Sequence, residues 1–184
     1  MQSAGVACGR LEDVDVGKAQ VKVRALGTSD GRAAVTVINT AAEWYAEFLA
    51  TSELHGPEMT LESWEDEARR MTWYGAFEGV DLVGVMGLEY AGDAALLRHA
   101  YVLPDRQRHG IASMLHDHLE REIHGVDRII VGTYAANHRA RGALEKAGYR
   151  PSTDPEAVLR RYYDIPEDRL RSSVTYEKHL DRDR

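Results

Sequence analysis

The run Tyr101-Val-Leu-Pro-Asp-Arg-Gln-Arg-His-Gly-Ile-Ala112 reads as the end of a strand, a turn and the start of a helix built to hold a pyrophosphate. A helix N-terminus carries backbone N–H groups without intrahelical partners and the positive end of the helix dipole, and together these favour an anion. Gly110 lets the backbone approach a phosphate that a side chain would push away, and Ala112 is the next smallest choice. An anion held there gains roughly 0.3–1 kcal/mol from the dipole when exposed and up to about 2 kcal/mol when partly buried.

Two strand–helix units must position this chemistry. The first strand, Ala95–Leu103, is apolar nearly throughout and is stopped by Pro104, which cannot continue a ladder. The helix that follows is predicted from about Arg108 to Ile123. Ile111, Met114, Leu115, Leu119 and Ile123 recur on one face, while Asp117, Glu120, Arg121 and Glu122 take the other. In the second unit, Arg128-Ile-Ile-Val131 reads as a buried strand followed by Gly132-Thr-Tyr-Ala-Ala136. Asn137 is placed to cap a helix whose Ala140, Ala143, Leu144 and Ala147 share a face, and Gly148 ends it.

The spacing Gln107-Arg-His-Gly110-Ile-Ala112 resembles the Q/R-x-x-G-x-G/A signature of the GCN5-related N-acetyltransferase (GNAT) superfamily. The segment from Asn137 to Tyr149 is similar to that superfamily's N-x-x-A-x-x-x-Y-x-K-x-G-[FY] pattern. Leu97–Val102, Val131–Tyr134 and Leu159–Pro166 with Ser172–Val174 look like a prokaryotic subgroup of unassigned substrate. The resemblance implies the α/β (α+β) GNAT fold, a mixed central sheet with splayed parallel strands flanked by helices, and acetyl-CoA as co-substrate without a metal. It places the pyrophosphate on the N–H groups of Arg108, His109, Gly110, Ile111 and Ala112, with Ser113 close by. The pantetheine arm would pair with main-chain groups of Tyr101 and Val102 like an added strand, and Asn137 would reach it from the other side. One departure bears on mechanism: Leu144 stands where the superfamily often has the tyrosine that serves the departing thiolate. A thiol with a pKa near 8.5 is a tolerable leaving group without that acid. The same departure motivates an alternative, a non-catalytic acyl-CoA binding or sensing module.

An acceptor amine with a lysine-like pKa near 10.4 must lose a proton before it can attack. His99, on the first of the two strands, is the first candidate base because histidine titrates near neutrality, with a hydrogen-bonded structural role as the competing reading. Glu89 is the second, against a salt-bridged carboxylate. Tyr134 would replace the missing acid or shape the acceptor pocket, against simple packing. In the superfamily the first two helices and the loop between them shape that pocket, which points to Trp44, Tyr45, Glu53 and His55, with Tyr162 or Tyr163 closing it from the other side. The acceptor class, a small-molecule amine or a protein or peptide amine, stays open.

Composition bounds the remainder. The chain has 184 residues, 43% hydrophobic and 29% charged, which suits one soluble globular domain. No apolar run approaches the roughly 20 residues that cross a bilayer, and the first ten residues lack a secretory pattern, so a cytoplasmic protein is expected. Cys8 is the only cysteine, which excludes an intramolecular disulfide. His116 and His118 are two apart on a helix and face different directions, so no metal site is expected. A formal charge of −7 without a long basic stretch argues against nucleic acid and favours, weakly, a cationic substrate. The resemblance makes a homodimer the expected assembly.

Residues 1–17 lack periodicity and read as a disordered extension ahead of a single acetyltransferase domain over 18–184. Within it the patterns predict a strand over Ala19–Leu26, a helix over Arg32–Leu49, a loop over Thr51–Pro57 and a Thr60-capped helix over Leu61–Met71. A strand pair over Trp73–Phe77 and Leu82–Tyr90 precedes the phosphate unit. A strand from Tyr149, a short helix from Asp154-Pro155 to Tyr163 and a last strand over Ser172–Lys178 complete the chain.

Overall fold

A computed structural model describes residues 20–51, 54 and 56–180; the expected N-terminal extension and Cys8 lie outside the described residues. The strands are β1 (Val21–Ala25), β2 (Met71–Glu78), β3 (Asp81–Ala91), β4 (Ala94–Val102), β5 (Arg128–Tyr134), β6 (Arg150–Pro151) and β7 (Ser173–His179). The helices are α1 (Gly31–Ala42), α2 (Leu61–Glu67), α3 (Ile111–Glu122), α4 (His138–Lys146), α5 (Pro155–Tyr162) and α6 (Glu167–Ser172). One seven-stranded sheet runs in the order β1-β2-β3-β4-β5-β7-β6. Every pairing is antiparallel except β4 with β5. No helix among the described residues is long and apolar enough to cross a membrane.

The strand period sorts side chains onto two faces of the sheet. On one face Ala95, Leu97 and Ile129 pack with Ile111, Leu115 and Leu119 of α3 and Leu144 of α4. On the other, Trp73, Leu82, Val85 and Tyr101 pack with Ala34, Val37 and Ile38 of α1 and Trp64 of α2, while Ala94, Leu96 and Ile130 meet Val158, Tyr162 and Tyr163 at α5. Leu115, Leu119 and Ile38 are fully enclosed, as the helical spacing of the apolar residues requires.

Several boundaries move for local reasons. The helix predicted from Arg108 begins only at Ile111, because Arg108 (φ +64°) and Gly110 (φ +81°) turn the chain left-handed first. Thr60 does cap α2, its hydroxyl oxygen accepting from Ser63 N–H at 3.0 Å, but the helix ends at Glu67. Met71 belongs to β2, where it is buried among α1 and α2 residues and so mimics one more helical position. The helix predicted over Arg32–Leu49 tightens into a 3-10 turn at Glu43–Glu47. The short α6 has only one buried apolar residue, Leu170, too little periodicity to be seen in the sequence.

The parallel ladder of β4 and β5 covers only Ala94–Leu97 against Arg128–Val131. Past that point a bulge sits on β4: Gly87 of β3 faces Arg98 and Val85 faces Tyr101, so His99 and Ala100 together oppose one residue. His99 takes the left-handed conformation, φ +54°, that the extra residue needs. β5 stays with β7 as far as Tyr134 opposite Ser173, and the two parallel strands part.

The seat of α1 on α2 is equally specific. A Cβ on Gly31 would lie 2.8 Å from Cε3 and Cζ3 of Trp64, a side chain only 1% exposed. Gly31→Ala is therefore expected to lower unfolding free energy by about 1–3 kcal/mol through overpacking, although alanine is the better helix former. Urea denaturation of the two proteins checks this; a stabilised variant would show that Trp64 yields.

Candidate functional site

The divergence of β4 and β5 opens a cleft of about 350 Å³ whose walls are Arg98–Tyr101 on one strand and Val131–Tyr134 on the other. Ala112, Ser113, His116 and Asp117 of α3 line one end, and Asn137, Ala140, Ala143, Leu144 and Ala147 line the side given by α4. At the α3 end the first bond across the helix start runs from Met114 N–H to the Gly110 carbonyl at 2.9 Å. Helix geometry thus leaves the N–H groups of Ile111, Ala112 and Ser113 for an outside acceptor. A Cβ on Gly110 would meet nothing within 4 Å, so the space over this backbone is open. Arg108 and His109 are exposed on the approach, whereas the Ile111 side chain is core and contributes only main chain. Arg106 is taken up by Glu78 and Asp105 at 2.8 and 2.7 Å.

Tyr101 lines the cleft, but Val102, expected beside it, does not. Its side chain is core, and its carbonyl accepts from Gln107 Nε2 at 3.2 Å. The stretch of β4 that faces the gap is therefore Arg98–Tyr101, shifted back by the bulge. Asn137 is 8% exposed, and its Oδ1 accepts from Ala140 N–H at 3.0 Å, so its NH₂ is the group left for a ligand. Leu144 presents a purely apolar surface to the same cleft.

The three candidate acid–base residues separate. His99 lines the cleft with its ring between Trp73 (centroids 5.1 Å) and Tyr101 (6.5 Å), and its Nε2 lies 2.8 Å from Glu67 Oε2. Tyr134 lines the cleft from the end of β5, edge-on to Tyr45 at 5.2 Å. Glu89 does not reach the cleft. Its Oε2 is bound by Arg70 and Arg98 at 2.5 and 2.7 Å, which corrects the reading of Glu89 as a base and makes it a structural ion-pair partner.

A second cavity of about 400 Å³ adjoins the cleft and shares Tyr45, Glu58, Tyr134 and Arg169 with it. Its remaining wall is largely apolar, including Ala42, Ala46, Leu49, Leu54 and Pro57, from α1, the 3-10 turn and the loop toward α2. Of the expected acceptor residues, Tyr45 is present, and Glu53 and His55 lie outside the described residues. Trp44 is elsewhere: its indole N–H donates to Glu47 and its ring lies under the Arg139 guanidinium, 4.7 Å from the centroid. Tyr162 is elsewhere too, because α5 ends there with its hydroxyl donating to Asp93 and accepting from Arg128, both at 2.6 Å. The next residue, Tyr163, turns inward and lines the cleft.

Sequence reasoning missed Glu58 and Arg169. The Tyr45 hydroxyl donates to the Tyr101 oxygen, and the Tyr101 hydroxyl donates to Glu58 Oε1, both at 3.1 Å. Arg169 donates to both oxygens of Glu58, at 3.3 and 3.0 Å. Glu58 stands in an aperiodic loop and Arg169 on the unrecognised α6, 111 positions apart, so no local pattern couples them. Burial pushes the hydroxyls of Tyr45 and Tyr101 above the ordinary tyrosine range, against a smaller opposing effect at Tyr45 from its bond to Tyr101.

A sequence model of the Acetyltransferase (GNAT) family matches residues 38–149. Among solved structures, the PaiA N-acetyltransferase of Thermoplasma acidophilum in complex with coenzyme A aligns with a TM-score of 0.67 at 18% identity, over 88% of this chain and 99% of its own. The ribosomal-protein-S18-alanine N-acetyltransferase of Escherichia coli aligns with a TM-score of 0.67 at 19% identity, over 88% and 95%. N-acetylglutamate synthase of Neisseria gonorrhoeae, complexed with coenzyme A and N-acetyl-glutamate, aligns at 0.64 and 18% identity, over 90% of this chain and 36% of that one. At such identities the likeness is one of fold. No curated protein sequence matches the chain.

Burial likewise raises the hydroxyls of Tyr149 and Tyr163. In the unfolded chain tyrosine ionises near pH 10, so above that pH the unfolded state binds fewer protons than the folded one and stability falls. The urea midpoint is expected to drop between about pH 9 and 11, and to drop less in Tyr101→Phe. An equal decline in both proteins would show that Tyr101 does not couple to folding.

Proposed function

The chain belongs to the GNAT acetyltransferase family, and on that premise we propose that it is an acetyl-CoA-dependent N-acetyltransferase whose acceptor amine attacks the thioester directly. The observation that carries this reading is that two cavities meet at the parting of β4 and β5. One is headed by a left-handed glycine and a helix N-terminus, the other lies between α1 and the loop toward α2. Acetyl-CoA bound in the first would supply an activated acyl group at the gap. The residues fit it: open space over Gly110, unpaired N–H groups at the start of α3, unladdered backbone at Arg98–Tyr101, and the Asn137 amide opposite.

His99 is the proposed base, removing the proton from the bound ammonium so that nitrogen can attack. Tyr45, Tyr134 and Glu58 border the passage the amine would use. Tyr134 is the hydroxyl proposed to assist the thiolate, because Leu144 has none. Proteins of this fold named above include one for an alanine of ribosomal protein S18 and an N-acetylglutamate synthase, so both protein and small-molecule amines are consistent acceptors. We take residues 18–184 as one cytoplasmic domain that forms a homodimer. Leu144 supports a second reading, an acyl-CoA sensor without turnover; coenzyme A release with a panel of primary amines separates the two.

Gly110→Glu places a charged side chain in the space over the helix start and should abolish acetyl-CoA binding in calorimetry. The left-handed backbone adds a strain of about 1–2 kcal/mol that circular dichroism would register as a lowered midpoint. Unchanged affinity in the folded variant removes the phosphate-loop assignment. Leu144→Tyr should leave kcat equal to or above that of the parent, since the new hydroxyl enters the cleft beside the departing sulfur. A fall in kcat with unaltered acetyl-CoA affinity would show that turnover needs the apolar surface at this position and gains nothing from a hydroxyl there.

A further inference from the structure

Glu67 is a carboxylate in an unfavourable place. It is the last residue of α2, where the helix dipole disfavours negative charge, and its side chain is only 18% exposed. A local rule broken at a half-buried position points to a role for the charge itself. Its two oxygens are divided: Oε1 lies 3.4 Å from Arg70, and Oε2 lies 2.8 Å from His99 Nε2. The His99 contact is in ion-pair range but off the line of an aligned hydrogen bond. Burial pushes the Glu67 carboxyl up, but His99, Arg98 and Arg70 outweigh it and hold it below the ordinary carboxylate range, so the group stays ionised.

We propose that Glu67 is a positioning residue for His99, keeping the imidazole turned with Nε2 toward the carboxylate so that Nδ1 is the proton acceptor for the substrate amine. This rests on the reading of His99 as base. The step balances simply: the ammonium N–H bond breaks, an Nδ1–H bond forms, the electron pair stays on the amine nitrogen, and the imidazolium charge faces Glu67. The ring has little freedom to turn otherwise. The bulge fixes its backbone at φ +54°, and Trp73 and Tyr101 confine its faces. The other charged and titratable groups around it are Arg98 and Tyr101 on β4, Arg70 after α2, Glu89 on β3 beyond the two arginines, and Glu58 beyond Tyr101. Among these Glu67 is the one carboxylate within ion-pair distance of the ring.

The test compares the full chain with Glu67→Gln, His99→Gln and the double variant. Two measurements are made: kcat/KM against pH with an amine that supports coenzyme A release, and ring-proton NMR of His99 titrated without acceptor. In Glu67→Gln the charge that faces the ring is gone, so the His99 ring-proton transition and the acidic limb of the rate profile should both move to lower pH. kcat should fall by about 10²-fold with acetyl-CoA affinity unchanged, and the double variant should be no slower than His99→Gln alone. If Glu67→Gln does not fold, Glu67→Asp keeps the charge at shorter reach and should show smaller shifts of the same sign. Full kcat in His99→Gln overturns the base reading and the proposal with it. A loss in His99→Gln beside an unmoved midpoint and full kcat in a folded Glu67 variant overturns the positioning role alone.

Discussion

The extra residue on β4 is the constraint from which the site follows. A parallel pair held in register to its end would leave no gap, and its backbone groups would satisfy one another. The bulge at His99 and Ala100 rotates the strand end while β5 remains committed to β7, so the two ladders cannot both continue. What is lost is strand pairing beyond Leu97 and Val131. What is gained is a run of β4 backbone that faces the cleft without a β5 partner, able to take an extended ligand as a further strand. The cost of a left-handed non-glycine residue, about 1–2 kcal/mol, is borne by a histidine confined between two aromatic rings.

The same parting divides chemistry between the two faces of the sheet. The α3 and α4 face offers main-chain donors and small or apolar side chains, which suits a long, phosphate-headed ligand, and among the described residues it sets only His116 and Asp117 as ionisable side chains at the cleft. The α1 and α2 face carries the ionisable side chains: His99 with Glu67, and Glu58 with Tyr101 and Arg169. In the proposed reading, proton handling and cofactor holding therefore come from different elements.

Legibility in the sequence tracks how local each feature is. Asn137 and Gly148 act within a single turn, so their types and spacing sufficed to locate the cap and the stop, whereas the start of α3 was read three residues early because nothing in the pattern marks Arg108 as left-handed. The core faces of α3 and α4 followed from periodicity. Val102 was carried over from the resemblance as a main-chain contact; its side chain is core and its carbonyl accepts from Gln107 Nε2, a bond made by the turn after the strand that no local pattern marks. Tyr162 and Tyr163 could not be told apart, since which of two adjacent tyrosines turns inward depends on the residue at which α5 ends. Glu89 was attractive as an acid near a strand end, and two arginines from separate elements decided otherwise. Glu58, Arg169 and Glu67 are joined to their partners only by the fold.

The absence of a hydroxyl at Leu144 gains meaning from this arrangement. The side of the cleft given by α4 is alanine, alanine and leucine around one amide, so the sulfur end of a bound thioester would face an apolar wall. A thiolate leaving into such a wall loses solvation, which raises the demand on whatever lies across the gap. There the chain sets Tyr134, whose ring packs edge-on against Tyr45 and Phe48 at 5.2 and 6.3 Å. The apolar α4 wall and the packed tyrosine at the end of β5 therefore line one cleft from two different elements, and the proposed role of Tyr134 as the acid rests on that pairing.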